Sequence, residues 1–598
     1  MATNPGLFTV SPWQRLGNLK YLVLAPWVLH GCHKMATAKE LGETDVAYLS
    51  VFPFMLLRIL HSQVWLTISR LVDARGNRRR IVERGIEFEQ VDRENNWDDT
   101  FILTAILEYL GLLLMPLGQG MPLWRREGAL VLVLMHAGPV EFLYYWFHRA
   151  LHHHALFSRY HSHHHASIVT EPISYFMNNL GHCNFKLVPN FLFKCFPPLK
   201  YLMYTPSFHS LHHTQFRTNY SLYMPFYDYI YNTMDKSSST LYESMLKISK
   251  EKCLDVVHLT HLTDHQSIYH LRPGFSMFAA RGYNQSNWSM ITILSPLSWL
   301  IAMLTWAFSS SPFAVDTSVI DKKLNMQTWA IPRYSFHYHL KRENKAINDL
   351  IGKAIHEADR RGAKVFSLGL LNQVRNLNGN RERYQKQQPK LRIRIVDGSS
   401  LAAVIVSNSV APGTDQVILA GNLDKVARAV AMALCKRNVK LELGRACLHT
   451  AQVTVINKAS YYSLHQCMPK DMAVNLLFSE NTAAKVWIIG EGLEDSEQEL
   501  AMEGTRFIPC SQFPPRMIRK DCIYLTTPAM NIPRTLLNVQ SCEVTNWLPR
   551  RIMSAWRVAG IVHALEGWDE HECGDTVLDL DRAWSAAIRH GFHPVTRV

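Results

Sequence analysis

The sequence predicts two folds in one chain: an α-helical membrane domain with a histidine-rich metal site, followed by an α/β Rossmann-like domain. Three observations carry this. Histidines cluster three times between His148 and His213 at helical spacing. Apolar stretches of nearly span length surround them in the first half. From about residue 330, short apolar runs alternate with helical ones.

The clusters are His148-Arg-Ala-Leu-His152, His161-Ser-His-His164-His165 and His209-Ser-Leu-His212-His213. Spacings of three and four stack side chains on one face of a helix. Eight imidazoles from three segments exceed the four ligands of a tetrahedral zinc. They suit two metal ions, each with several nitrogen ligands and an open position. A histidine-rich tract can also be mere composition, but here one geometry occurs three times.

Composition narrows the class. The 598 residues suffice for two or more domains, and 47% apolar content is too high for a disordered chain. The net charge of +14 comes without a nucleic-acid-binding motif, so nucleic acid is not expected as a partner. A basic face against anionic membrane lipid fits better, and Arg75, Arg78, Arg79 and Arg80 follow an apolar stretch as a cytoplasmic flank would. Eleven scattered cysteines with no CxxC pair point to reduced thiols. The first twelve residues show no cleavable signal, so membrane targeting is expected to rest on internal spans.

In chain order, residues 17–31 read as a short or interfacial span, 46–68 as a span interrupted by Arg58 and His61, and Thr100 to Gly118 as a cleaner one. Ala129 to Phe147 is the strongest candidate. It is close to the roughly 20 apolar residues that cross a bilayer and ends in the interfacial aromatics Tyr144-Tyr-Trp-Phe147, so His148 emerges at the membrane surface. A buried core helix is the alternative. The 43 residues between His165 and His209 carry too many Asn, Lys and His residues to cross twice. Glu141, Glu171, Asp228 and Asp235 are candidates to orient imidazole N–H groups. His258, His261, His265 and His270 are irregularly spaced and read as structural. Met290 to Phe308 is a further apolar stretch, and Ser309-Ser-Ser-Pro312 a linker.

Beyond it, strands are expected at Lys364 to Leu371, Leu391 to Val396, Val417 to Ala420, Val486 to Ile489 and Cys522 to Thr526, with a helix over Asp424 to Arg437. This alternation predicts a parallel sheet. Ala420-Gly-Asn-Leu-Asp-Lys-Val-Ala427 stands where a dinucleotide fingerprint would, but lacks its glycines. His571-Glu-Cys573 has no partner motif and reads as structural. The expected domains are 1–310 and 330–598.

HxxxH, HxxHH and HxxHH in this order resemble the membrane fatty acid hydroxylase/sterol desaturase superfamily. The words around them narrow the likeness: Tyr144-Tyr-Trp-Phe-His-Arg149, Tyr160-His-Ser-His-His-His165, Val169-Thr-Glu-Pro172, Met177-Asn-Asn-Leu-Gly-His182 and the run from Thr205 to Tyr220. So do Val396-Asp-Gly-Ser-Ser400 and Trp547-Leu-Pro-Arg550 in the second half. Together they resemble the plant very-long-chain aldehyde decarbonylases of cuticular wax synthesis. The resemblance implies a di-iron centre on His148, His152, His161, His164, His165, His209, His212 and His213, with His182 as a further ligand. It implies loss of the carbonyl carbon from a very-long-chain fatty aldehyde, giving an alkane one carbon shorter. The implied partners are a cytochrome b5-type electron donor, NADPH acting through a redox partner, and a homologous subunit in a hetero- or homodimer. The implied setting is a multi-pass protein of the endoplasmic reticulum membrane. The same signature serves lipid and sterol hydroxylases, and an accessory, non-catalytic subunit is the other reading. One departure bears on this: the segment after Glu171 is shorter than in the family, which puts the metal site's completeness in question.

Overall fold

In the computed structural model, the described residues are 25–37, 106–111, 125–162, 164–166, 180–241, 254–262, 302–320, 324–373, 391–442, 452–478, 483–515, 517–533 and 551–595, with a few isolated positions. The chain forms two compact units. One comprises Met1–Lys252, Gln266–Arg281 and Gln285–Met303; the other comprises Cys253–His265, Gly282–Asn284 and Leu304–Val598.

The first unit is helical where it is described, beginning with α1 (Ala25–Thr37). Its principal element is α2 (Arg126–Leu151), the one helix among the described residues long and apolar enough to cross a membrane. The other sequence-predicted spans fall wholly or partly outside the described residues. Pro139 lies inside α2, and the helix widens to a π turn over His136–Val140. Proline lacks an N–H and its ring crowds the carbonyl four residues back, which a wider turn accommodates. Past that turn, Glu141, Tyr145 and His148 are buried on one face. Phe142, Leu143, Trp146 and Phe147 remain exposed on the other.

Helix α3 (Pro206–Gln215) carries the third cluster. Thr205 caps it, its hydroxyl accepting the Phe208 N–H at 3.2 Å, and Pro206 occupies the first turn, where no N–H is needed. It ends at Phe216, which takes a left-handed conformation at φ 65°.

The second unit holds three sheets. Strands β1 (Val256–Leu262), β2 (Phe313–Ile320), β3 (Leu324–Tyr334), β4 (Val365–Leu368) and β5 (Arg394–Val396) form a five-stranded sheet in the order β2-β3-β1-β4-β5. Only the β2–β3 pair is antiparallel. Every residue of β1 is buried, as a central strand covered on both faces requires. The crossover from β3 to β4 is α4 (Asn344–Arg360), which buries Ile347, Leu350, Ile351, Ala354, Ile355 and Ala358 at intervals of three and four.

After α5 (Ser399–Ser409) follow β6 (Gln416–Ala420), α6 (Lys425–Glu442), β7 (Gln452–Val455), β8 (Leu476–Phe478), β9 (Val486–Ile489), β10 (Arg506–Pro509) and β11 (Ile523–Tyr524). They make a six-stranded sheet, all parallel, in the order β11-β10-β9-β6-β7-β8. Along β6, Val417 and Leu419 join one hydrophobic core while Ile418 and Ala420 join another, the period-two pattern of a sheet covered on both faces. A small antiparallel sheet, β12 (Ala529–Asn531), β13 (Ile552–Ser554) and β14 (His593–Pro594), completes the unit with α7 (Ala555–Glu566) and α8 (Leu580–Arg589).

The units do not divide at a single cut near residue 310. Strand β1 lies in the stretch expected to belong with the membrane domain, yet it pairs with β3 and β4. Its run Val-Val-His-Leu-Thr-His-Leu is apolar but broken by histidines, so it carries little strand signal on its own. Those histidines serve the fold: the His258 Nδ1 lies 3.0 Å from the Ser367 hydroxyl, and the His261 Nδ1 donates to the Leu262 carbonyl at 3.0 Å. His571-Glu-Cys573 is likewise built into the fold. The Ile395 N–H donates to His571 Nδ1, the Ser400 N–H donates to the Glu572 carboxylate, and Cys573 is buried.

Gly398 links β5 to α5 at φ +70°, and a Cβ there would stand 2.7 Å from the Trp556 Cα of α7. Gly398→Ala should therefore cost about 2 kcal/mol or more, since both the left-handed backbone and a backbone contact oppose it. Hydrogen exchange across β5 and α5 in the full-length protein would show this as faster opening.

Candidate metal centre

Nine histidines converge within the first unit. His148 and His152 come from the end of α2, His161 from the turn Phe157–His161, and His164 and His165 from the turn His164–Ala166. His182 follows Gly181, and α3 contributes His209, His212 and His213. They sort into two groups: His148, His152, His161, His165 and His212 in one, and His164, His182, His209 and His213 in the other. Within each group the ligand atoms lie within 4.8 Å of one another. The spacing of four along α2 and of three and four along α3 produces this, with the two groups sharing α3.

The nitrogen spacings suit metal ions. In the first group, the Nε2 atoms of His148 and His161 are 2.9 Å apart, those of His152 and His212 3.2 Å, and those of His152 and His165 3.2 Å. In the second, His182 and His209 are 3.0 Å apart, and His209 and His213 3.1 Å. Two nitrogens each about 2.1 Å from one ion at a right angle lie about 3.0 Å apart. The same separation suits an N–H···N hydrogen bond between neutral rings, and a cation bound there would take the place of that proton. Burial, and then the charge of neighbouring imidazoles, push His152 down to about 3 and hold His161, His165, His209, His212 and His213 well below the ordinary histidine range. Rings so held are neutral, the form that binds metal.

Backbone carbonyls fix the first group. The His148 Nδ1–H donates to the Tyr220 carbonyl at 2.5 Å, and the His212 Nδ1–H to the Thr218 carbonyl at 2.7 Å, leaving both Nε2 atoms free to face the group. The other ends of these peptide units are held too. The Ser221 N–H, in the same plane as the Tyr220 carbonyl, donates to Asp228 at 2.8 Å. The Asn219 N–H, paired with the Thr218 carbonyl, donates to the Thr233 carbonyl at 3.0 Å. Asp228 also accepts the Tyr220 N–H at 2.9 Å and the Thr233 hydroxyl at 2.6 Å. Glu141 reaches from α2 to accept the N–H groups of Leu222 and Tyr223. In the second group, the Nδ1 of His209 is buried with no hydrogen-bond partner among the described residues.

The expected orienting role of the carboxylates thus needs correction. Glu141 and Asp228 bind the backbone of the 219–223 loop, and that loop's carbonyl meets the imidazole. Asp235 caps a turn, accepting the Ser237 N–H at 2.7 Å, while its own N–H donates to the Asn219 side chain. Glu171 lies outside the described residues. Asn219 and Tyr220 were visible in the sequence only as part of a motif without an assigned role. Asn219 is buried at φ 60° and donates to the Phe208 carbonyl of α3 at 2.8 Å. Phe216 lays its ring 5.0 Å from His165. Gly181 is required beside His182, because a Cβ there would meet the buried Tyr204 hydroxyl at 2.0 Å.

In the second unit, the fingerprint-like segment forms the turn from β6 into α6. The N–H of Ala427 at the start of α6 donates to the Asp424 carboxylate at 2.9 Å, and the Asn422 N–H donates to the Glu491 carbonyl at 3.0 Å. The chain's own groups occupy the helix N-terminus that a pyrophosphate would use.

Two clustered imidazole groups at the end of a span-length helix form a candidate metal site of the kind expected of a fatty acid hydroxylase-type protein. The fatty acid hydroxylase family model matches residues 166–233, and the model for the CER1-like C-terminal domain matches 417–594. The chain is 60% identical to very-long-chain aldehyde decarbonylase GL1-5 of Oryza sativa subsp. indica, covering all of both chains. It is 52% identical to GL1-4 of the same source, again over both whole chains. It is 48% identical to very-long-chain aldehyde decarbonylase CER1 of Arabidopsis thaliana, over 100% of this chain and 99% of that one. The chain belongs to the very-long-chain aldehyde decarbonylase family. The alignment with GL1-5 runs over 640 positions against 598 residues here, so that relative carries residues this chain lacks. The nine histidines converge nonetheless.

Two outcomes follow from this geometry. Asp228→Asn should weaken metal retention about 10-fold or more, since it loosens the peptide that orients His148; competition with a chelator measures it. The metal-free protein should lose stability as pH falls below 6.5. The unfolded chain then binds protons that the buried rings refuse, so the stability is fully present above 6.5 and, for His152, drains away toward about 3. Thermal unfolding of metal-stripped protein across that window tests the sign.

Proposed function

We propose that this chain is an iron-dependent very-long-chain aldehyde decarbonylase of cuticular wax synthesis. It converts a fatty aldehyde to an alkane one carbon shorter, as a deformylating, lyase-type enzyme. The supporting observation is the pair of largely buried imidazole groups, joined to 60% and 48% identity over the whole chain with relatives named for this activity.

We assign His148, His152, His161, His165 and His212 to one iron and His164, His182, His209 and His213 to the other. Bound iron would supply oxygen chemistry and accept electrons from a cytochrome b5-type donor, with NADPH consumed by that donor's reductase. The chain's own residues do the rest. The Tyr220 and Thr218 carbonyls hold His148 and His212 in one tautomer. Phe157 and Phe216 wall the group beside His152 and His165 and exclude water. The apolar face of α2 offers the alkyl chain a path along the membrane, a positioning role.

The setting we propose is the endoplasmic reticulum membrane, crossed more than once, with a homologous subunit as partner. The six-stranded sheet has the strand order of doubly wound dinucleotide folds, third-second-first-fourth-fifth-sixth, and we read it as Rossmann-like.

Expression in a microbial host that makes very-long-chain aldehydes, with metal analysis of the purified membrane protein, tests this reading. The expected result is two irons per chain and alkanes that vanish with His164→Ala. Hydroxylated lipid in place of alkane would move the chain to the sister chemistry. Absence of both iron and product would make it an accessory subunit.

A further inference from the structure

We infer that the surface formed by 190–202 and 226–230 is a membrane-interface face that engages anionic phospholipid headgroups through Lys194 and Lys200. This rests on the membrane reading of α2 and goes beyond it.

The segment consists of two short helices, Asn190–Cys195 and Leu199–Leu202, separated by Pro197 and Pro198. It turns its large apolar side chains outward: Phe191 is 60% exposed, Phe196 55% and Leu202 53%. Lys194 and Lys200 are exposed among them. The Lys200 ammonium lies over the Tyr201 ring at 4.7 Å. Tyr201 in turn packs on Tyr229, their ring centres 4.4 Å apart, in the helix Phe226–Ile230. That helix exposes Phe226, Tyr229 and Ile230, and it rests on α2 through Tyr227, whose ring is 5.8 Å from Phe142. Ring contacts therefore connect the exposed apolar face of α2, through Tyr227, Tyr229 and Tyr201, to the segment that exposes Phe191, Phe196 and Leu202. An exposed apolar patch of this kind marks an interaction surface.

Its chemistry fits the headgroup level of a bilayer. Helices this short, broken by prolines, leave backbone groups unbonded, which hydrocarbon does not tolerate. Aromatic rings and lysines with apolar stems settle at the interface, where the ring is half wet and the ammonium reaches phosphate. The stretch 180–204 contains three lysines and no carboxylate, so its local charge favours anionic lipid. Behind it, Lys186, Lys200 and Ser207 line one cleft at the start of α3. The same segment joins His182 to His209, so the lipid-facing surface and the second histidine group share one short stretch of chain.

Cys195 is exposed on this segment and reports on it. The full-length protein would be labelled there with a fluorophore and reconstituted into vesicles of phosphatidylcholine, with or without phosphatidylserine. A parallel Cys195→Ser protein gives the background from the other cysteines. Shallow nitroxide-labelled lipids should quench the Cys195 probe severalfold more than aqueous iodide does. Phosphatidylserine should deepen that quenching, and Lys194→Gln with Lys200→Gln should abolish the dependence on phosphatidylserine while leaving iron content unchanged. A Cys195 probe as open to iodide as free dye overturns the inference, and quenching indifferent to phosphatidylserine overturns the headgroup assignment. A second probe, Leu143→Cys in the Cys195→Ser background, separates the two readings. If position 143 lies in lipid and position 195 in water, this inference alone fails; if both lie in water, the membrane reading fails with it.

Discussion

The first unit depends on one constraint: nine imidazoles pack together, seven of them buried, where charge is costly. Unpaired charge inside a protein is prohibitive, burial disfavours the charged form of these rings, and a neutral imidazole has one donor and one acceptor nitrogen. Neighbouring Nε2 atoms lie about 3 Å apart, so each pair either shares a proton or brings two lone pairs to a cation. The scaffold has to hold that arrangement whichever occupies it. Helix α3 is built accordingly, with Thr205 and Pro206 starting it and Phe208, His209, Ser210, Leu211, His212 and His213 all buried. The left-handed residue that ends it is a phenylalanine whose ring covers His165, so the backbone strain sits where the site uses it.

What holds the first group is a relay through peptide planes. Asp228 holds the N–H of Ser221, that plane's carbonyl holds His148, and Thr233 performs the matching task for His212 through Asn219. A carboxylate touching the imidazole directly would place a full buried charge beside the metal. Transmitting its pull through a peptide dipole orients the ring and keeps the charge one residue further off. The relay reaches only some of the rings: the Nδ1 atoms of His165 in the first group and His209 in the second are buried with no hydrogen-bond partner among the described residues.

Side-chain periodicity made the histidine clusters legible in the sequence, because i, i+3 and i, i+4 spacing survives any detail of packing. The strands at 365–368, 394–396, 416–420 and 486–489 were legible for the same reason, as short apolar runs between helical ones. The relay was not legible, since its working parts are the carbonyls of Tyr220 and Thr218, which carry no side-chain signal. The strand Val256–Leu262 was hidden because its histidines break the apolar run; they read as structural in the sequence, and His258 and His261 are buried in the sheet. The paired strands Phe313–Ile320 and Leu324–Tyr334 followed a Ser-Pro stretch that reads as linker, and only the pairing of the second with β1 joins them to a larger sheet.

Helix α2 has to serve two solvents at once, and Pro139 governs how it does so. Each residue of a helix turns its successor by about 100°, so the wider turn at His136–Val140 rotates everything after it relative to everything before. After that turn, Glu141, Tyr145 and His148 face the protein while Phe142, Leu143, Trp146 and Phe147 face outward. Before it, Leu130 to Met135 are exposed in succession, with no polar face to orient. The N-terminal half is indifferent to rotation, and the C-terminal half is not. A break placed between them lets the metal-binding end adopt the register that the 219–223 loop dictates without disturbing the apolar half.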